Sequence, residues 1–398
     1  MTDRVIRMAV VSDLHARAGR SETTSERTWV QSGEPNPANN PLAGLCQLIE
    51  SQELEADVLL CPGDLCDQVE WGALEYVWEK LDEVARVLGA ERVIATAGNH
   101  DIDSRGRHAP DPIAHGLREL DPPFPARGEE EAQGYWEDRI SLISGDGWQV
   151  LSLNSTMMRL LDQAAGERDH GEISSETLER LKNVLEGRLE SVNVLMCHHH
   201  PLPSRHHNPE DSSQMDNGDR LVRLLDELGG PWFVVHGHKH DPDLDYLGGT
   251  AGAPVRLACG SLGAMLRGRH STQARNQFHL VEFPVGHCER IHLSLGGQVR
   301  SWTWRAMTGW ARALAGDGLP ANAGFGHRVD GPSLASELIE GARDDGLPTL
   351  ERASLSTRVP KLEFMLPKDL KRLMDALEAG GCHVQLDRHG TLDRLVMS

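Results

Sequence analysis

Five short stretches of this sequence gather carboxylates, imidazoles and a carboxamide at spacings that suit metal ions. Asp13 and His15 form a D-x-H pair in "SDLH", Asp64 stands in "GDLCD", and Asn99, His100 and Asp101 stand in "GNHD". His238 and His240 come from "HGHKH". The fifth stretch, "MCHHHPLPSRHHNP" (Met196–Pro209), packs five histidines into fourteen residues. Any one of these stretches arises readily by chance, so their weight depends on where the chain puts them.

Each follows an apolar run of strand length. "IRMAVVSD" ends at Asp13, "DVLLCPGD" at Asp64 and "RVIATAGNHD" at Asp101, while "NVLMC" leads into the histidine tract and "WFVVH" into His238. Helical periodicity lies between the runs, over Leu42–Gln52, Trp71–Leu88, the segment after the capping serines Ser174 and Ser175, and Asp219–Leu228. Such alternation predicts an α/β fold with covered sheets. In folds of this kind ligands sit beyond the carboxyl ends of strands. All the candidates fall at such ends, which makes chance a poor explanation. Within the tract, the "HHP" spacing selects His199 as the residue that turns inward. His200 precedes Pro201 and is pushed towards extended backbone, strand alternation turns His198 away, and His206 and His207 read as loop.

Taken together, "DLH", "GDLCD", "GNHD", "HHP" and "GHKH" resemble the motif set of the calcineurin-like metallophosphoesterase superfamily, from about Met8 to His240. "LACGSLGA" and "NQFHLVEF" resemble its closing strands, and the cyclic-nucleotide and glycerophosphodiester phosphodiesterase branch looks closest. The resemblance implies a four-layer α/β/β/α sandwich with two divalent or transition-metal ions. Asp13, His15, Asp64 and His240 would hold one ion. Asp64, Asn99, His199 and His238 would hold the other, with Asp64 bridging. Ligation by oxygen and nitrogen without thiolate suits Mn, Fe, Zn, Ni or Co, with Mn expected to support activity in vitro. Paired ions would polarise a phosphoryl oxygen and generate a hydroxide for in-line attack. His100 would face the leaving oxygen as general acid or charge stabiliser, with Asp101 orienting it. Asp67 fits either a hydrogen bond within the site or a plain loop cap. Cys61, Cys66 and Cys197 read as core.

At 398 residues the chain has room for a large domain and a smaller one. The expected division is a phosphoesterase domain over 1–297, a connecting segment over 298–331, and an accessory α or α+β domain over 332–398. The last would serve dimerisation or partner binding, or cap the site. Trp302, Trp304 and Trp310 read as core or interface. Two polar insertions, 16–41 and about 103–134, read as rims of the site. No apolar stretch is long enough to span a bilayer, the N-terminus lacks the pattern of a signal peptide, and seven cysteines lack a framework spacing; these features predict a cytoplasmic protein. The net charge of −20 repels phosphate backbones. General nucleic-acid binding is therefore disfavoured, and an SbcD-type nuclease ranks below a phosphodiesterase acting on a small or nucleotide-like substrate. A phosphomonoesterase or protein phosphatase is a further alternative. A non-catalytic scaffold ranks last, because no ligand position is empty.

Overall fold

The computed structural model describes residues 4–19, 28–67, 70–102, 115–156, 170–203, 213–250, 252–266, 275–314 and 316–397. Its first sheet contains β1 (Val5–Val10), β2 (Val58–Cys61), β3 (Arg92–Ala95), β10 (Asn276–Pro284), β11 (Gly297–Arg305), β12 (Gly309–Arg312) and β13 (Asn322–Phe325). The strand order is β12-β11-β10-β1-β2-β3, with β13 also paired to β11. The second sheet contains β4 (Ile140–Gly145), β5 (Trp148–Leu153), β6 (Val192–Met196), β7 (Trp232–His236), β8 (Asp243–Tyr246) and β9 (Val255–Ala258), in the order β4-β5-β6-β7-β9-β8.

Side-chain alternation builds the layers. Met8 and Val10 of β1 pack between the sheets with Val150, Val194, Phe233 and Leu257. Ala9 and Val11 face the other way, onto Leu45 of α1 (Pro41–Ser51) and Trp78 of α2 (Trp71–Leu88). Leu151 and Leu195 of the second sheet meet Leu181 of α5 (Ser175–Leu185) and Leu225 of α6 (Gly218–Leu228). Three apolar layers thus separate helix, sheet, sheet and helix, which is the expected α/β/β/α sandwich. The intervening α3 (His115–Arg118) and α4 (Glu129–Asp138) lie before β4, and α7 (Val285–Arg290) follows β10. Ser174 caps α5 as expected, its Oγ accepting the Thr177 N–H at 3.0 Å.

The segment 298–331, expected to be a connector, instead extends the first sheet. β11 pairs with β10 from Gln298–Glu282 to Trp304–Asn276, and β12 and β13 pair with β11. Its Gly/Pro/Ala-rich composition reads as linker, but the open edge of β10 needs backbone partners and β11 supplies them. Trp302 is buried in the α1/α2-facing layer, and Trp310 packs there with its indole N–H on Pro41 O at 2.9 Å.

Residues after Gly331 gather around a separate apolar core. Leu334 and Leu338 of α8 (Gly331–Asp344), Leu355 of α9 (Arg352–Arg358) and Leu373 and Leu377 of α10 (Pro367–Ala379) enclose Leu350 and Leu395. These two belong to a small sheet, β14 (Thr349–Glu351), β15 (Cys382–Leu386) and β16 (Leu392–Met397), ordered β14-β16-β15. A Lys368–Asp245 ion pair and a Gln298–Glu363 hydrogen bond join this unit to the sandwich.

Candidate metal centre

β1, β2 and β3 are parallel to one another, as are β5, β6, β7 and β9. The loops beyond their carboxyl ends bring every candidate ligand to one place. Asp13, His15, Asp64, His238 and His240 all adopt left-handed backbone, with φ between 47° and 78°. Non-glycine residues rarely occupy that region, and such conformations cluster at functional sites. A glycine is required just before Asn99: a Cβ on Gly98 would lie 2.1 Å from Asp64 Oδ1 and 2.3 Å from its backbone nitrogen.

Two donor sets form around Asp64. In the first, ligand atoms of Asp13, His15, Asp64 and His240 lie within 4.8 Å of one another. His15 Nε2 is 2.9 Å from His240 Nε2 and 3.5 Å from Asp64 Oδ2, and His240 Nε2 is 3.3 Å from Asp13 Oδ1. In the second, His198 Nε2 lies 3.3 Å from Asp64 Oδ2 and 3.0 Å from Asn99 Oδ1, which is also 2.9 Å from His238 Nδ1. His198 Nδ1 sits 2.8 Å from Pro62 O. Donation of the Nδ1 proton to that carbonyl leaves the Nε2 lone pair aimed at two oxygen acceptors. Acceptors converge in this way around a positive charge.

The electrostatics agree. Burial opposes charge on His198, yet Asp64 raises it to about 9, so without an ion a proton takes the place of the charge. Burial lowers His15 to about 3 and holds His199 and His238 well below the usual histidine range, leaving neutral imidazoles of the kind that ligate metals. Asp64 stays a carboxylate despite complete burial because His198 and His100 face it.

The placement of the histidine tract corrects the sequence reading. His198 points into the centre, whereas strand alternation had turned it away. β6 ends at Met196, so His198 and His199 lie in a bend where a period of two no longer holds. His199 is fully buried beside the second set, but its Nδ1 faces Ser155 Oγ at 2.9 Å and its Nε2 has no hydrogen-bond partner. His206 and His207 lie outside the described residues.

His100 enters between the first set and the outside, its ring 4.6 Å from that of His15. The expected orienting role of Asp101 is also corrected. The Asp101 carboxylate accepts the Cys66 N–H at 2.9 Å and the Gly98 N–H at 2.8 Å, tying together the loops after β2 and β3. His100 Nδ1 instead lies 3.0 Å from Asp67 Oδ1, while Asp67 Oδ2 receives Arg17 Nη2 at 2.8 Å. His100 and Arg17 outweigh burial and hold Asp67 down at about 2; Asp64 and Asp67 outweigh burial and raise His100 to about 9. Sequence reasoning missed Arg17 and Ser155, although each follows a strand by a few residues. Cys61, Cys66 and Cys197 are buried core thiols, as expected.

The calcineurin-like phosphoesterase family model matches residues 6–242. The chain belongs to this family. A second family model, the calcineurin-associated wHTH, matches residues 323–379. Among curated proteins, the chain is similar to the 3′,5′-cyclic adenosine monophosphate phosphodiesterase CpdA of Haemophilus influenzae, at 26% identity over 195 residues, covering 48% of this chain and 57% of that protein. CpdA of Escherichia coli K12 is 31% identical over 105 residues, covering 26% of this chain and 35% of that protein. The chain thus spans only about half, or less, of the curated relatives it matches. A purple acid phosphatase from yellow lupin aligns with 76% of this chain and 52% of its own, at 13% identity and a TM-score of 0.46. The candidate metal-binding groups of His and Asp side chains thus lie in a calcineurin-like phosphoesterase.

Proposed function

We propose that the protein is a metal-dependent phosphodiesterase acting on a small, nucleotide-like diester. The observation that carries this reading is that the buried carboxylate Asp64 belongs to one donor set and lies 3.3 Å from His198 of the other, with a partly exposed histidine beside them. Asp13, His15, Asp64 and His240 would hold one ion, and Asp64, Asn99, His198 and His238 the other. His199, expected as a ligand, has a ligand atom within 4.8 Å of those of His198 and His238; we assign it to supporting that set because its Nδ1 is turned to Ser155 Oγ. Two ions there would polarise the phosphoryl group and acidify a water. His100 holds the proton for the departing oxygen, Asp67 fixes the His100 ring, and Arg17 fixes Asp67.

The name of the curated relatives supports a cyclic nucleotide as substrate, and the net charge of −20 disfavours long nucleic acids. All seven cysteines are free thiols, which supports a reducing, cytoplasmic setting. Among the described residues no helix is long and apolar enough to cross a membrane. Protein purified without chelator and supplied with Mn should bind two ions. It should cleave bis-p-nitrophenyl phosphate or a cyclic nucleotide faster than p-nitrophenyl phosphate or single-stranded DNA. Saturation at one ion that survives substitution of Asp64, or hydrolysis of none of these esters, overturns the reading.

A further inference from the structure

We propose that a cavity beside Trp29 receives the nucleobase of the substrate; this rests on the phosphodiesterase reading and adds the group by which the site selects. The cavity, about 250 Å³, is lined by Trp29, Trp304, Arg275, Asn276, Arg305 and Met265 among others. That is smaller than the pocket of a drug-sized ligand and suits a single flat ring system. Trp304 forms a buried wall, 1% exposed, with its indole N–H on Pro37 O at 3.1 Å. Trp29 is half-buried against it, the ring centroids 5.3 Å apart. Arg305 is held in place by Asp317, whose two carboxylate oxygens each lie 2.7 Å from its Nη2. An indole face and an immobilised guanidinium are what bases stack on and hydrogen-bond to.

The cavity opens at the metal-binding end of the sandwich. β10 and β11 run antiparallel and parallel to β1 respectively, and Trp304 pairs with Asn276 beyond the point where β1 pairing stops at His279. β11 lies two strands from β1, or about 10 Å at the usual strand spacing. The link is direct. Ser261 Oγ and the Gly263 N–H both reach Asp13 O, at 2.6 and 3.2 Å, and Gly263 O receives the Trp29 N–H at 2.7 Å. Thr28 Oγ1 completes the junction, with Leu14 O at 3.2 Å and Gly263 O at 3.1 Å. Only glycine fits at this crossing, because a Cβ at position 263 would lie 1.8 Å from Leu14 O. Trp29 is thereby tied, through Gly263 and Thr28, to the segment that carries Asp13 and His15.

The test compares binding of adenosine 5′-monophosphate with that of ribose 5-phosphate by calorimetry, using the full chain loaded with Mn. The base should strengthen binding, and Trp29→Ala should weaken the nucleotide about 10- to 100-fold while ribose 5-phosphate changes far less. Trp29→Phe, which keeps an aromatic face, should retain most of the nucleotide affinity and guards against a folding artefact. Equal binding of the two ligands, or an equal loss of both in Trp29→Ala with Trp29→Phe unaffected, overturns the proposal. The two readings fail separately. Hydrolysis of base-free diesters without any base contribution removes only the cavity. Base-dependent binding in a protein that hydrolyses no ester removes only the phosphodiesterase activity.

Discussion

His198 and His199 are neighbours in sequence with different surroundings, and that difference can be measured. His198 Nε2 faces Asn99 and Asp64, whereas His199 Nδ1 faces Ser155. His198→Ala should release one of the two ions and cut activity by more than about 100-fold. His199→Ala should keep both ions and cost about 10- to 100-fold, the range for residues that support ligands. Metal analysis beside kinetics decides this, and loss of an ion from the His199 variant alone would reverse the assignment. His100 makes a second prediction. A p-nitrophenolate leaves without help, whereas an alkoxide needs a proton. His100→Asn should therefore lose about 10²–10⁴-fold on nucleotide or alkyl diesters and much less on p-nitrophenyl esters, with both ions retained. Equal losses on the two classes would make His100 a source of charge or position rather than a proton donor.

The loops that present the ligands are held by bonds between them as much as by the strands they leave. Asp101 accepts one backbone N–H from the loop after β2 and one from the loop after β3. It is 2% exposed, and burial together with nearby Asp64 raises its carboxyl to about 7. In Asp101→Asn the amide has one oxygen for two N–H donors, so one buried N–H loses its partner. The expected cost is about 1–3 kcal/mol of stability, read by urea denaturation, together with weaker metal binding. The preference among leaving groups should stay as in the parent protein, because His100 is oriented by Asp67. A variant that alters that preference with stability unchanged would return Asp101 to the role first expected of it.

Across the whole molecule, the sandwich also carries a buried titratable group outside the two donor sets. His279 lies in β10 with its Nδ1 2.9 Å from Ser301 Oγ, its Nε2 has no hydrogen-bond partner, and burial lowers it to about 3. Between that value and the ordinary 6.5 the unfolded chain binds a proton that the folded chain refuses. The stability that His279 contributes is therefore present above pH 6.5 and lost as pH falls towards 3. The slope is at most about 1.4 kcal/mol per pH unit. His279→Asn, which can still meet Ser301, should lose less stability than the parent between pH 7 and pH 5 in urea denaturation. Identical pH profiles would show that His279 is solvated or protonated in the fold.

The sequence alone determined the layered α/β class and the order of the motifs at the strand ends, and six of the seven ligand positions proposed above are ones its family resemblance implied. Those features are local: an apolar run specifies a strand, and a polar motif at its end specifies what the strand presents. The inward direction of His198 was decided by tertiary structure, because beyond Met196 a bend replaces the alternation from which side-chain direction is read. The partner of His100 was decided in the same way. Asp101 is its neighbour in the chain, but Asp67 reaches it from another loop. The segment 298–331 also shows why composition misled: a strand poor in pattern still forms where an open sheet edge offers it a full set of backbone hydrogen bonds. Long-range pairing of this kind leaves little trace in the residues that make it.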